Sequence, residues 1–143
     1  MGEKKKMISP KTIQLLDKVA LMSDHPQYQH GAAVIKRNHI LGVGCNRMKT
    51  HPMQARFGKN GDAIFLHAEI NAIKNTLKTY RVSDLAGSTL IVLRRTTKGY
   101  GMSKPCDGCT RAVIEFDFKS VIYSTDTDFI TLGEHDVRHE HPA

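Results

Sequence analysis

The sequence predicts an α/β domain of three layers, α/β/α, around a mixed sheet of four to five strands that opens with a β-hairpin. Three observations carry this expectation. A capped amphipathic segment precedes two short apolar runs divided by a polar turn. A nearly all-apolar run at residues 89–93 (TLIVL) has the composition of a central strand covered on both faces. A helical stripe and one more strand follow it, the order expected of a right-handed parallel crossover.

Taken in order, Ser9-Pro10 starts a helix, with Ser9 as N-cap and Pro10 in the first turn. Ile13, Leu16, Val19 and Ala20 form its apolar stripe, and it should end near Asp24, before Pro26. Residues 31–35 (GAAVI) and 40–45 (ILGVGC) form a hairpin around Lys36-Arg37-Asn38-His39. Gly42 and Gly44 mark a close approach to the second strand, and Cys45 is a small core residue. Residues 46–66 form a long loop, a length usually kept for function or disorder. A second helix from Leu66 buries Leu66, Ile70, Ile73 and Leu77, and Gly87 lies beyond its end. After the central strand, residues 94–104 form a second loop. Pro105 then opens a third helix with Ala112, Val113 and Phe116 inside. Residues 120–123 (SVIY) are the next strand, and residues 129–132 hold the last strand-like piece. Residues 1–143 make a single domain, with 1–8 and 134–143 expected to be mobile.

Hydrophobic residues make up 40% of the chain and charged residues 24%, an ordinary balance for a globular domain. No apolar run approaches the ~18 residues of a membrane span, and no apolar segment follows the basic start at Lys4, Lys5 and Lys6. Cys45, Cys106 and Cys109 are too few for a disulfide scaffold, so a cytoplasmic setting is expected. The net charge of +7 concentrates in the two loops. The first carries Arg47, Lys49, Arg56 and Lys59 against Asp62, and the second carries Arg94, Arg95, Lys98 and Lys104. Flanking a site, they would make its mouth positive and suit an anionic substrate; otherwise they are solvated loops that aid solubility.

Two short stretches bear the chemistry. His67-Ala68-Glu69 offers an imidazole and a carboxylate; Pro105-Cys106-Asp107-Gly108-Cys109 offers two thiols at helical i, i+3 spacing. His67, Cys106 and Cys109 read as three ligands of one zinc with a coordination position left open. Glu69 stands about 200° from His67 at ~100° per helical residue, so it flanks that open position. Helix N-termini favour the two thiolates. A closed structural zinc site is the alternative, but no neighbouring Cys or His supplies a fourth ligand. His135, His139 and His141 beside Asp136 and Glu140 read as a polar terminus, although the i, i+4 pair could hold a second metal. His25, His30, His39 and His51 read as surface or loop residues, with His51 nearest the pocket mouth.

The H-A-E and P-C-x-x-C stretches resemble the zinc-dependent cytidine deaminase superfamily, over residues 13–125. The resemblance implies zinc-bound hydroxide attacking C4 of a cytosine, with Glu69 carrying protons to the ring and to departing ammonia. Within the superfamily, His67-Ala68-Glu69-Ile70-Asn71-Ala72-Ile73 looks most like the deoxycytidylate deaminases, as do Gly31-Ala32-Ala33-Val34-Ile35 and Gly44-Cys45-Asn46. That branch implies a sugar contact from Asn46 and a base contact from the backbone of Ala68. Arg47 and Lys104 are then the candidates for the substrate's phosphate. Free cytidine deaminases normally have Cys at the His67 position. Transfer-RNA adenosine and guanine deaminases usually have Met at the Gly108 position. Riboflavin-pathway deaminases space their cysteines more widely. The glycine-rich stretch that follows the Asn in deoxycytidylate deaminases is replaced here by Arg47-Met48-Lys49-Thr50-His51-Pro52.

The implied activity is deamination of a deoxycytidine nucleotide, dCMP to dUMP, by a zinc enzyme that is expected to be a homo-oligomer. The alternatives are cytosine deamination in single-stranded nucleic acid and a catalytically silent zinc-fold binding module. Polynucleotide cytidine deaminases carry a Ser-Trp-Ser before the Pro-Cys, and this chain has no Trp. Stacking platforms for a strand would come from Phe57, Tyr100, Tyr123 or Phe129.

Overall fold

The computed structural model describes residues 4–57 and 65–132. The elements run β1 (Lys4–Lys6), α1 (Pro10–Leu21), β2 (Gln29–Lys36), β3 (His39–Cys45), α2 (Pro52–Phe57), α3 (Ala68–Thr76), α4 (Val82–Leu85), β4 (Thr89–Thr96), β5 (Gly99–Gly101), α5 (Asp107–Glu115), β6 (Ser120–Ser124) and β7 (Phe129–Thr131). The strands form one mixed sheet in the order β1-β7-β6-β4-β2-β3, with β5 paired to β4. β4 and β6 are parallel, as the crossover through α5 requires, and the other pairs are antiparallel. The five strands read from the sequence are all present. Two short ones, β1 and β5, bring the sheet to seven.

Local chemistry accounts for the element boundaries. Ser9 Oγ accepts from the Thr12 backbone N–H at 3.2 Å, capping α1. The helix stops at Leu21, before the expected Asp24, where the Met22 N–H turns back to the Val19 carbonyl. The β2–β3 turn places Arg37 and Asn38 at φ 52° and 67°, the left-handed pair a two-residue hairpin needs. Where a loop was expected after Leu93, β4 runs on to Thr96 and turns into β5. Arg94 and Arg95 obscure that strand in the sequence, yet both pair with β2, at His30 and Gln29. Residues 46–66 likewise contain α2 rather than loop alone, and α4 lies between α3 and β4. His51 Nδ1 caps α2 by accepting from the Met53 N–H at 3.0 Å.

β4 lies between β2 and β6, and Leu90, Ile91, Val92 and Leu93 are all buried. Alternation divides its side chains between two cores. Ile91 and Leu93 join Ala33, Ile122 and Phe129 against Leu16 and Ala20 of α1. Leu90 and Val92 join Ala32, Val34, Val121 and Tyr123 against Ile70 and Ile73 of α3 and Ala112 and Val113 of α5. Burying both sheet faces makes β4 read as a continuous apolar run. Cys45 is buried, as expected of a small core residue.

The two glycines of β3 are where α3 sits against the sheet. A Cβ at Gly42 would stand 2.9 Å from the Thr76 backbone nitrogen, and one at Gly44 2.5 Å from that of Ala72. The side chains of α3 complete the attachment. Asn71 Nδ2 donates to the Cys45 carbonyl and Asn75 Nδ2 to the Val43 carbonyl, both at 2.8 Å. Gly44→Ala forces helix backbone away from strand backbone. It should lower stability by about 1–3 kcal/mol, the usual range for overpacking. The check is the urea midpoint at unchanged m-value, and a midpoint equal to wild type would refute the close-packing account.

Candidate active site

The N-termini of α3 and α5 meet beside the sheet, and the residue just ahead of each helix does the meeting. His67 is the N-cap of α3 and Cys106 the N-cap of α5, both with extended backbone. Cys106 therefore precedes the helix, which begins at Asp107 and not at Pro105. Neither N-cap side chain makes the usual capping hydrogen bond. The His67 backbone N–H donates instead to Oε1 of the buried Gln54 on α2, at 3.0 Å. His67 Nδ1 lies 3.6 Å from Cys106 Sγ and 3.4 Å from Cys109 Sγ.

These distances fit a metal. Tetrahedral Zn²⁺ with Zn–S of ~2.3 Å and Zn–N of ~2.0–2.1 Å sets S and N roughly 3.5 Å apart. The ligand atoms of His67, Cys106 and Cys109 all fall within 4.8 Å of one another, so the cluster is able to hold a metal ion. Two soft sulfurs and an imidazole make a donor set suited to zinc. Without metal the two thiols divide their protons unequally. Cys109 is buried and donates to Cys106, which pulls Cys106 down to about 4 and holds Cys109 well above the ordinary thiol range.

Glu69, in the first turn of α3, is buried. Burial raises its pKa to about 7, against the opposing pull of His67. It lines a cavity of about 290 Å³ together with His67 and Cys106. Asn46, Arg47, Ala68 and Lys104 line the same cavity, so the structure gathers at one opening every residue the sequence put forward for substrate. Asn46 also ties backbone together there. Its Nδ2 donates to the Tyr28 carbonyl at 2.6 Å, and its Oδ1 accepts from the His30 N–H at 2.9 Å.

Lys104 and Cys106 owe their position to a buried knot of two serines. Ser103 Oγ donates to the Val92 carbonyl at 3.0 Å, and the Ser103 N–H to the Ser124 carbonyl at 2.9 Å. Ser124 Oγ donates to the Gly101 carbonyl and accepts from the Arg94 N–H. The chain leaving β5 is thereby fastened across β4 and β6. Gly108 has its own structural reason, because a Cβ there would stand 2.5 Å from the Phe57 carbonyl oxygen.

The basic loops do not all face the cavity. Arg95 pairs with Asp17 of α1 at 3.0 Å, and Arg56 pairs with Glu115 of α5. Arg94 lies 4.7 Å above the Tyr28 ring. Among the described residues, Arg47 and Lys104 are the cations lining the cavity. Lys59, Asp62 and the tail residues His135, Asp136, His139, Glu140 and His141 lie outside the described residues. The aromatic residues proposed for strand stacking are not at the mouth. Phe57, Tyr123 and Phe129 are buried in the cores, and Tyr100 packs beside α1, its hydroxyl donating to Asp17 at 3.1 Å. His51, which caps α2, is not among the lining residues.

Among the lining residues that escaped the sequence reading are His25, Tyr28 and His30. His25 Nδ1 accepts from the backbone N–H groups of Gln27 and Tyr28, shaping the turn into β2. Burial and the nearby Arg94 lower the pKa of His30 to about 4, so its ring is uncharged at neutral pH. A signal was available. His30 stands two residues before Ala32, which places it on the sheet face that carries the site.

The sequence pattern of the cytidine and deoxycytidylate deaminase zinc-binding region matches residues 8–125. The chain belongs to this family. Solved structures support the fold. The dCMP deaminase of cyanophage S-TIM5, in apo form, is 24% identical over 85% of this chain and 88% of its own, with a TM-score of 0.59. The same enzyme in complex with dCMP and dUMP gives 22%, 82%, 83% and 0.50. A cytidine deaminase from Burkholderia pseudomallei is 18% identical over 92% of this chain and 96% of its own, with a TM-score of 0.61. No curated protein matches the chain. Among the described residues, no helix is long and apolar enough to cross a membrane.

The thiol asymmetry can be tested directly. With a pKa of about 4, exposed Cys106 is mostly thiolate by about pH 6, whereas Cys109 and Cys45 are buried and shifted upward. Iodoacetamide at about pH 6, where an ordinary thiol is under about 1% ionised, should alkylate the metal-free protein first at Cys106. Zinc should suppress the reaction. Mass spectrometry of the peptides is the measurement, and equal labelling of all three cysteines would contradict the geometry.

Proposed function

We propose that this family member hydrolyses the amino group of cytosine in a deoxycytidine nucleotide, with dCMP giving dUMP and ammonia. The observation that carries the reading is a buried carboxylate, Glu69, in one cavity with His67 and Cys106 and beside Cys109. His67, Cys106 and Cys109 would hold the zinc. Bound there, zinc supplies a Lewis acid that makes water a nucleophile near neutral pH.

The chain's own groups do the rest. The Glu69 carboxylate takes a proton from the attacking water and delivers it to N3 of the ring. It then takes the remaining hydroxyl proton and gives it to the amino group leaving C4 as ammonia. The sum is cytosine plus water giving uracil plus ammonia, with Glu69 returned to its starting state. A carboxyl whose pKa lies near 7 serves well as both acceptor and donor. Ala68 occupies the first turn of α3, whose N–H groups have no partner within the helix and suit the base carbonyl. Arg47 and Lys104, which line the cavity, would meet the phosphate. Arg47 keeps donors to spare after one bond to the Met22 carbonyl at 3.1 Å. Among the described residues, two lining cations suit one terminal phosphate better than a polymer.

A single-stranded substrate is the second reading, and one observation favours it. Tyr28 is 45% exposed and Met102 55% exposed, and both line the cavity, offering a surface for a second base. Ammonia release from dCMP, dCTP, deoxycytidine and a cytosine-containing oligonucleotide separates the two. Turnover of free nucleotide with shallow salt dependence is expected. Deamination of the oligonucleotide alone, with log affinity falling against log salt at roughly −0.7 per phosphate contact, would establish the second reading instead.

Glu69→Gln keeps the shape of the side chain but cannot carry the proton. It should lower kcat by ~10²–10⁴-fold while elemental analysis still finds one zinc per chain. A near-normal rate would remove Glu69 from the chemistry, and absence of zinc from the wild-type protein would remove the metal.

A further inference from the structure

The cavity contains a polar side chain from the sheet that the reaction above leaves unused. Along β2, Ala32 and Val34 face α3 and α5, whereas Ala33 faces α1. His30 continues the first series, so its ring opens on the same side as Glu69, His67 and Cys106, and it lines their cavity. Its backbone is fixed at both groups. The N–H donates to Asn46 Oδ1 at 2.9 Å, and the carbonyl accepts from the Asn46 N–H at 3.3 Å. Opposite it on β4 stands Arg94, whose guanidinium is engaged with the Tyr28 ring.

The donor and acceptor state of the ring follows from its neighbours. The ring is hydrogen-bonded to the Tyr28 backbone, a contact that favours its charged form, so the imidazole is the donor there. Burial and Arg94 keep it uncharged. A neutral imidazole has one N–H and one bare nitrogen. With the N–H turned to Tyr28, the bare nitrogen remains as an acceptor on the cavity wall.

Resting on the deaminase reading, we propose that His30 is a substrate-positioning residue that accepts a hydrogen bond from a donor of the bound nucleoside. The donor is either a sugar hydroxyl or the amino group of the base. Asn46 acts behind it by fixing the strand end from which the ring projects. The phosphate is not the partner, because a bare ring nitrogen repels an anion.

The test uses zinc-loaded protein with His30→Leu, which removes the acceptor, and His30→Gln, which supplies an amide oxygen in its place. Leu should raise KM for dCMP roughly ten-fold, up to a hundred-fold, with kcat little changed and one zinc retained. Gln should recover most of the loss. Calorimetry with dUMP and with 2′,3′-dideoxycytidine monophosphate identifies the donor. If it is the sugar hydroxyl, Leu weakens dUMP binding and leaves the dideoxy nucleotide unaffected. If it is the amino group, Leu weakens the dideoxy cytosine nucleotide and leaves dUMP unaffected. An active wild type whose Leu variant keeps normal KM and both affinities overturns the proposal alone. So do Leu and Gln variants that are equally impaired and depleted of zinc, since that marks a structural role. A wild type that neither binds nor deaminates any cytosine nucleotide overturns the proposal together with the deaminase reading.

Discussion

Packing of α3 against β3 at backbone distance is the constraint on which the site depends. His67 caps that helix and Glu69 lies in its first turn, while Cys106 caps, and Cys109 belongs to, another whose position is set through the sheet. A shift of α3 by the radius of a methyl group would move the imidazole away from both sulfurs. Gly42 and Gly44 remove the side chains that would stand between helix and strand. Asn71 and Asn75 then fix the helix along the strand by bonding to Cys45 and Val43. Gln54 of α2 holds the His67 backbone N–H. On the α5 side, the Ser103–Ser124 knot performs the corresponding task for the chain entering Cys106. Fixing a reactive constellation within a fraction of an ångström takes rigid supports of this kind.

Burial and charge then divide the work within the cavity. The deep end holds a carboxyl whose pKa is raised by desolvation, beside sulfurs and an imidazole able to take up a cation. Among the described residues, Arg47 and Lys104 are the cations that line the same cavity. Three other basic side chains of the two loops serve structure. Arg95 ties β4 to α1, Arg56 ties α2 to α5, and Arg94 supports Tyr28. A count of basic residues therefore overstates the positive field at the mouth, because ion pairing and cation–π contact neutralise or occupy the charges.

The turn into β2 forms a part of the site in its own right. His25 shapes it through two backbone bonds, Tyr28 stands at the opening, and Asn46 fixes the strand end that projects His30. Asn46 thus shapes the cavity wall through the residues it positions. Its Oδ1 and Nδ2 each already have a backbone partner, so the wall it supports depends on it even where it makes no direct contact.

The sequence by itself determined the layers, the hairpin, the crossover and the His67, Cys106 and Cys109 cluster able to hold a metal. These rest on local signals: a capped helix start, a period of two or 3.6 in apolar residues, and short motifs whose spacing reflects chemistry. It did not reveal β5, α2 or the ends of α1 and α5. There, basic and polar residues occupy positions whose conformation is settled by partners distant along the chain, as Arg94 and Arg95 are by β2. Nor did it reveal that Cys106 precedes its helix, that Gly108 makes room for the Phe57 carbonyl, or that His25, Tyr28 and His30 wall the cavity. Those are matters of which surfaces meet. Side chains that neither form a periodic stripe nor belong to a motif acquire their neighbours only when the sheet is assembled and α3 and α5 are packed against it.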